Sequence, residues 1–594
     1  MATACKEQTI SGPGFTCDVT NPVRDVFISP SSASVLVRSP ARSTDVIQLT
    51  ATATNRVGNA RTDVPIAFTS SDPTIATVDS TGLVHALKPG SISIKASTCG
   101  ESATAQITVV NAVVTVQVAA AAQSIVVGDS VLVTARAVGQ TGAKLADVKF
   151  SFLLSPPASG TIKVVSDSTA YVFATVPGNL TVTASGEGAS SSTAISVLAK
   201  VFLGAAAGPG VIDAGGSYTC ALITLGRGYC WGLNDHNQLG AATDSVCFDN
   251  TRTRVDTSAT QTVVKPCSLV PRRLAPTIAF AAVSAGDSSA CGLDTTGKAY
   301  CWGTNIHGEL GNGSNVLRGV PTLVTPALTF TAISVGGAHT CAIATGGGAW
   351  CWGQDSLGQL GDARLINSTT PIPVSSGGQS ALAVSSISAG LHHTCALQPD
   401  GTALCWGNND NGQLGTGALG GNVETPAAVA TGVRFTSISS GGFHTCAIAV
   451  GGAAFCWGSN ASGQLGNGGV GSLSLAPVAV AGGLAFTRIS AGTNHTCGLT
   501  TGGAVFCWGE NGDLQLGQGP FTGSGSANGT PAQVGGGQLP GGVTFTAITA
   551  GTNHTCAVGS DGGAYCWGSN VLGALGNTLQ AAFRGFPQRV ATPQ

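Results

Sequence analysis

From Val26 onward apolar and polar positions alternate in short runs. VFISP, SVLV, VIQLTATAT, VPIAFTSS, ATVDSTGLVHAL, SISIKAS and AQITVV are rich in Val, Ile and Thr and are separated by turn residues. Period-two alternation broken by turns predicts strands, and seven of them between residues 24 and 111 predict a β-sandwich. Residues 112–199 repeat the logic through SIVVGDSVLVTARAV, VKFSFLL, AYVFATV and NLTVTASG. Beyond residue 200 the alternation is set in a unit that recurs seven times. Its clearest copy runs Phe486-Thr487-Arg488-Ile489-Ser490-Ala491-Gly492, then His495-Thr496-Cys497, Cys507-Trp508-Gly509 and Gln515-Leu516-Gly517.

Each unit holds two cysteines ten positions apart: Cys220 and Cys230, Cys291 and Cys301, Cys341 and Cys351, Cys395 and Cys405, Cys446 and Cys456, Cys497 and Cys507, Cys556 and Cys566. A glycine lies five before each first cysteine, Trp-Gly follows each second one, and a Leu-Gly pair ends nine residues after each Trp. Between the cysteines two alternating runs flank a turn such as Thr501-Gly502-Gly503, which predicts a β-hairpin. Even spacing sets the cysteines opposite each other, with Cα atoms about 4.5 to 5.5 Å apart, within disulfide reach. A staple in every hairpin is the expectation. Reduced thiols or zinc are the competing readings, and zinc needs four converging ligands where each hairpin supplies two.

After each hairpin comes a Pro-x-x-Val-like strand, from Pro271 to Leu274 in the first unit and from Pro587 to Val590 in the last. The first hairpin has no good copy before it and the last copy has no hairpin after it. A circle accommodates both ends if the carboxy-terminal strand completes the blade begun at Val211, leaving no open sheet edge. The expected fold is therefore all-β: residues 1–23 as an amino-terminal segment, sandwiches over 24–111 and 112–199, and a seven-bladed β-propeller over 200–594.

Composition narrows the function. Only 9% of the 594 residues are charged, against roughly 25% in an ordinary soluble protein. The net charge is -2, so no basic surplus exists to neutralise many phosphates, and nucleic acid is not an expected partner. No run of 18 or more apolar residues is present, so no membrane-spanning helix is expected. The start has no signal-like segment, and cysteine usage points to an oxidising, extracellular or bacterial cell-surface location. Cys5 follows Ala2, Thr3 and Ala4, small residues of the kind that precede a lipidated cysteine, which leaves a lipid anchor open beside a disulfide. The pairing among Cys5, Cys17 and Cys99 is not fixed by spacing.

Two stretches resemble known families. Phe68-Thr69-Ser70-Ser71-Asp72-Pro73-Thr74-Ile75-Ala76-Thr77-Val78-Asp79, followed by Gly82-Leu83-Val84 and Pro89-Gly90, resembles the group 2 bacterial immunoglobulin-like domain. The resemblance implies a stalk or adhesion module; the second sandwich lacks the Ser-Asp-Pro turn and matches less well. HTCALQPDGTALCWGNNDNGQLG, His393 to Gly415, resembles the regulator of chromosome condensation repeat, and all seven units match. That resemblance implies protein recognition through one propeller face. The chain departs from intracellular members by its paired cysteines.

Catalysis is not expected, because no paired carboxylates, nucleophile elbow or phosphate loop stands in a suitable context. His339, His393, His444, His495 and His554 recur at one place in five blades and read as hairpin residues bonded to neighbouring turns, since rotation about the axis keeps them too far apart to share one ion. Neither a metal nor a cofactor is expected. Insertions carry the recognition hypothesis. The first, between Gly240 and Pro271, holds Cys247 and Cys267, expected to close a projecting loop, together with Arg252, Arg254 and Lys265, and is followed by Arg272 and Arg273. These cations are candidates for an acidic partner. A smaller insertion offers Phe521. The reading is a noncatalytic binding protein whose propeller head recognises a protein or surface glycan on an immunoglobulin-like stalk. An inhibitor acting on a secreted hydrolase is the alternative; an enzyme with a site in the central channel and a nucleotide exchange factor rank below both.

Overall fold

A computed structural model of the chain describes residues 17–593 apart from 18–19, 39–40, 140–141, 147, 205–209, 244, 250–262, 376–379, 520–526, 538–541 and 580–582. It divides into two units, Met1–Ala199 and Lys200–Gln594. In the first unit Ser32–Val37, Glu101–Asn111, Gly90–Thr98 and Ala67–Ser70 form one sheet of the first sandwich, and Val46–Gln48, Leu83–Ala86 and Ala76–Val78 form another. Val26, Val35, Leu49, Val84, Ile94 and Ile107 are buried between them. A disulfide joins Cys17 to Cys99. The second sandwich pairs Thr115–Ala120, Ser130–Val138, Thr169–Ala174 and Gly160–Ser166 in one sheet, and Ser124–Val126, Ala189–Leu198, Gly178–Gly186 and Ser151–Ser155 in the other.

The second unit is a seven-bladed propeller. Blade 2 shows the plan, with Phe280–Ala285 innermost, then Ser289–Asp294, Ala299–Gly303 and Arg318–Leu323 outermost, all antiparallel. Blade 1 is built on Tyr218–Ile223 and Arg227–Leu233, blade 3 on His339–Ala344 and Ala349–Gly353, blade 4 on His393–Leu397 and Ala403–Asn408, and blade 5 on His444–Ala449 and Ala454–Gly458. Blade 6 uses His495–Thr500 and Val505–Glu510, and blade 7 His554–Gly559 and Ala564–Ser569. Each hairpin places its cysteines in register, as Cys395 against Cys405, and a disulfide joins them with Cα atoms 4.0 to 4.1 Å apart. That is closer than the 4.5 to 5.5 Å anticipated for opposed positions.

The ring closes differently from the sequence expectation. The carboxy-terminal strand Phe583–Arg589 pairs with Ala564–Ser569 of its own blade 7, and blade 1 receives its outer strand, Val263–Arg273, from its own continuation. The Pro-x-x-Val strand thus completes the blade that precedes it, and no strand is exchanged across the seam. Side chains and backbone amides close the circle instead. A Cβ on Gly215, Gly286, Gly336, Gly390, Gly441 or Gly492 would strike the carbonyl oxygen of the glycine after it in that series, and one on Gly551 would strike that of Gly215. This is why a glycine lies five before each first cysteine. The residue after each glycine donates its N–H to that same carbonyl, ending with Thr552 to Gly215 at 3.2 Å.

Further out, each Trp of the Cys-Trp-Gly triplet is fully buried against the preceding blade, Trp302 packing with Tyr218, Leu239 and Leu274 of blade 1. Gly240, Gly311, Gly361, Gly415, Gly466, Gly517 and, across the seam, Gly576 lie against the Trp of the following blade, which accounts for the Leu-Gly pairs.

Candidate functional site

Because blade strands alternate in direction, the connections between first and second strands and between third and fourth strands emerge on one face of the ring, here the loop face. The hairpin turns and blade-to-blade connections emerge on the opposite, turn face. The first insertion lies on the loop face, while the longer connections after Ser368–Pro373 and after Ala527–Gln533 lie on the turn face.

The insertion adds a fifth strand, Ser245–Asp249, to the outer edge of blade 1, pairing with Val263–Arg273, and Cys247 is bonded to Cys267. The described cations, Lys265, Arg272 and Arg273, do not gather. Lys265 Nζ donates to Asp235 Oδ2 at 2.9 Å on the loop face. Arg272 donates from Nε to Ser268 Oγ at 3.2 Å. Arg273 pairs with Tyr229, beyond a bulge and toward the other end of the strand from Lys265, near Lys200 and Arg227, whose pKa values burial and the Arg273 charge depress. Arg252, Arg254 and Phe521 lie outside the described residues, as does Cys5.

The axis carries groups that sequence reasoning passed over. A cavity of about 160 Å³ there is lined by the glycines and by Asp213, Ser284, Ser334, Ser388, Ser439 and Ser490 of blades 1 to 6; Thr549 holds the equivalent place in blade 7. Each of these oxygens accepts a backbone N–H from the next blade, as Ser334 Oγ does from Ala389 at 2.9 Å. Asp213 is the departure from Ser or Thr. Its carboxylate also accepts the hydroxyls of Ser284 at 3.0 Å and Thr549 at 2.9 Å, so it binds the seam from both sides, while burial raises its pKa. Alignment of Asp213-Ala214-Gly215 with Ser284-Ala285-Gly286 carries the signal that would have found it. At the mouth of the cavity Asp287 replaces the small residues of most blades; burial raises its pKa, and His236 and His392 act in the opposite direction.

The five recurring histidines form a further ring. Nε2 of His339, His393, His444, His495 and His554 lies 2.8 to 2.9 Å from the hydroxyls of Thr394, Thr445, Thr496, Thr555 and Thr219, each in the following blade. Each threonine gives its single hydroxyl proton to a loop carbonyl, as Thr445 to Gln413 at 2.9 Å, so Nε2 must be the donor to the threonine and Nδ1 is unprotonated. The histidines bond between blades rather than to their own turns. Among the described residues, no group of three or more His, Cys, Asp or Glu side chains is placed to hold a metal ion.

Blade 3 holds an unusual carboxyl pair. Asn305 contacts Asn312 in blade 2 at 3.4 Å, and Asn570 contacts Asn577 in blade 7 at 3.3 Å; blade 3 has Asp355 and Asp362 at these positions. Burial, then the Asp362 charge, pushes the Asp355 carboxyl up to about 7. A carboxyl that binds its proton more tightly when folded stabilises the fold fully below about pH 3.8, and this advantage disappears as pH rises to about 7. Asp355→Asn is therefore expected to melt higher than the parent at pH 8, with the advantage shrinking toward pH 4; thermal melts giving a pH-independent difference would contradict the raised carboxyl pKa.

The exposed aliphatic side chains of the propeller lie mainly on the loop face or its rim, among them Ile306 at 68%, Leu317 at 40%, Ile366 at 67% and Leu419 at 54% exposure. The loops of blades 2 and 3 are tied together where Asn367 Nδ2 lies 3.2 Å from His307 Nδ1, which brings Ile306 and Ile366 into one neighbourhood.

Seven contiguous blades, six of four strands and the first of five, sealed by interblade rings, define a β-propeller. The chain belongs to the RCC1-like domain family, whose profile matches residues 270–593, and residues 23–109 match the bacterial Ig-like domain (group 2). The ultraviolet-B receptor UVR8 of Arabidopsis thaliana is 33% identical over 193 residues, 32% of this chain and 42% of that protein. Human probable E3 ubiquitin-protein ligase HERC6 is 37% identical over 140 residues, 23% of this chain and 14% of that protein. The matches thus span less than half of either relative. Among solved structures, human WBSCR16 superposes with a TM-score of 0.52 at 22% identity, covering 62% of this chain and 94% of that one. Yeast RCC1 (Prp20) bound to Kap60 gives 0.50 at 20% identity, covering 66% and 87%. These two likenesses show the fold.

Proposed function

We propose that the chain is a noncatalytic binding protein that works outside the reducing cytosol, its propeller engaging a protein partner through the loop face and its sandwiches acting as a stalk. The observation that carries this reading is the aliphatic surface on the loops of blades 2 and 3, because exposed apolar side chains clustered on one face mark interaction sites. Arg318, exposed beside Leu317, gives that patch a positive flank. Yeast RCC1, a propeller of the same fold, is bound to Kap60 in its structure. Nine disulfides among the described residues and a bacterial immunoglobulin-like domain support an extracellular or cell-surface setting, where such bonds persist. Adhesion is the role that suits a binding head on a stalk.

The double variant Ile306→Asp and Ile366→Asp tests the face. A partner captured by the full chain and identified by crosslinking should bind at least tenfold more weakly to the variant, while the melting temperature stays unchanged. Undiminished binding would place the contact elsewhere.

A further inference from the structure

We propose that the cavity at the seam between blades 7 and 1 is a small-molecule site for a free amino acid with a carboxamide side chain, L-glutamine being the probe that matches it. Six blades carry Gln or Glu directly before the Leu-Gly pair: Gln238, Glu309, Gln359, Gln413, Gln464 and Gln515, each at most 2% exposed. In every one the side-chain oxygen accepts the backbone N–H two residues earlier, at 2.8 to 2.9 Å. In blades 3, 4 and 5 the amide nitrogen also donates to a side-chain oxygen five residues earlier, Gln359 to Gln354 at 3.3 Å, Gln413 to Asn408 at 2.6 Å and Gln464 to Ser459 at 3.3 Å. Each of these six loops thus folds around one buried carboxamide or carboxyl.

Blade 7 has Ala574 at this position. Its loop keeps the Leu572 N–H and the Ser569 hydroxyl, the groups that a side chain at 574 would satisfy, but Ala574 supplies neither an acceptor nor a donor. A cavity of about 250 Å³ lies there, lined by Ser569, Leu572 and Ala574 together with Lys265, Asp513 and Asn553. This is room for a small organic ligand rather than a single water. The site asks for the missing group, an acceptor for Leu572 and a donor for Ser569, which one primary carboxamide provides. Blade 2 shows why the amide is preferred to the acid: burial raises the pKa of Glu309 in the equivalent position, so the charged form is disfavoured.

The remainder of the ligand follows from the walls. Lys265, held by Asp235, presents an ammonium, and Asp513 presents a carboxyl whose pKa burial and then Glu510 raise. A free α-amino acid carries the complementary carboxylate and ammonium, whereas a glutamine within a peptide carries neither.

Calorimetric titration of the full chain is expected to show saturable binding of L-glutamine, with L-glutamate and the capped, uncharged N-acetyl-glutaminamide each at least tenfold weaker. In Ala574→Gln the chain's own side chain fills the cavity, so glutamine binding should fall at least tenfold while the melting temperature stays equal or rises. Lys265→Gln should weaken glutamine while leaving the capped amide unchanged. Absence of glutamine binding, or binding undiminished in Ala574→Gln, overturns the site. Capped amide binding as well as free glutamine overturns the free amino acid and points to a side chain of a macromolecular partner.

Discussion

Gly390→Ala is expected to lower the unfolding free energy of the propeller by about 1 to 3 kcal/mol or more, the scale of overpacking a rigid interior. The new Cβ would lie 2.5 Å from the Gly441 carbonyl oxygen and 2.6 Å from Cε1 of His393. Neither neighbour can retreat. The Gly441 carbonyl accepts the Leu391 N–H, while the His393 ring is buried and bonded to Thr445. Gly432→Ala makes the same chemical change where nothing lies within 4 Å of the new atom. There the loss of chain freedom in the unfolded state should leave stability unchanged or raise it by about 0.4 to 1 kcal/mol. Urea or thermal unfolding of the two variants measures the contrast, and equal stabilities would refute the tight axial ring.

The same comparison shows what the sequence could and could not reveal. Relations within one hairpin are local, so the register of Cys395 against Cys405, the staple and the blade count followed from spacing. Relations between blades are not local. The partners of His393 and Trp406 lie 52 and 47 residues away, at Thr445 and Gln359, and no periodicity says which atom meets which. For that reason the glycine before each hairpin was visible as a pattern but its cause was not. Closure is hidden on the same ground: a first hairpin with no strand before it and a last strand with no hairpin after it suggest an exchanged strand, whereas the seam is held by Asp213, Thr219 and the Trp231 indole donating to Ala574 O at 2.9 Å. In the candidate site, counting cations ignored the geometry of an extended strand, which carries Lys265 and Arg273 toward opposite ends of a blade. The missing glutamine at Ala574 is legible in the repeat alignment, yet its meaning requires knowing that the six equivalents are buried and each accepts the backbone N–H two residues earlier.

Mild acid is expected to unfold the propeller through its histidine ring. Burial, the first cause in each case, pushes His339, His393, His444 and His495 down to about 3 and His554 to about 4. Nδ1 of the first four is buried without a hydrogen-bond partner, so a proton added there would have no acceptor in the folded state. A group with a depressed pKa in the fold contributes stability above its ordinary value near 6.5 that is lost as pH falls toward 3 or 4, because only the unfolded chain takes up the proton. Each histidine then adds a slope of up to about 1.4 kcal/mol per pH unit. Asp355 acts oppositely over about pH 4 to 7, and Asp213, Asp287, Glu309 and Asp513, whose pKa values burial also raises, act in the same sense as Asp355; the five histidines, pushed from 6.5 down to about 3 or 4, carry the larger change. Stability measured by denaturant unfolding should therefore fall steeply between pH 6 and pH 4. His444→Ser, which places there the residue that blade 2 uses at Ser289, isolates one member of the ring. At pH 7 the variant should be weaker by about 1 to 3 kcal/mol for its lost packing and hydrogen bond. That deficit should narrow by up to about 1.4 kcal/mol for each pH unit below 6.5, because the variant no longer carries the titrating group. A deficit constant from pH 7 to pH 4 would show that the buried imidazole does not drive the acid transition.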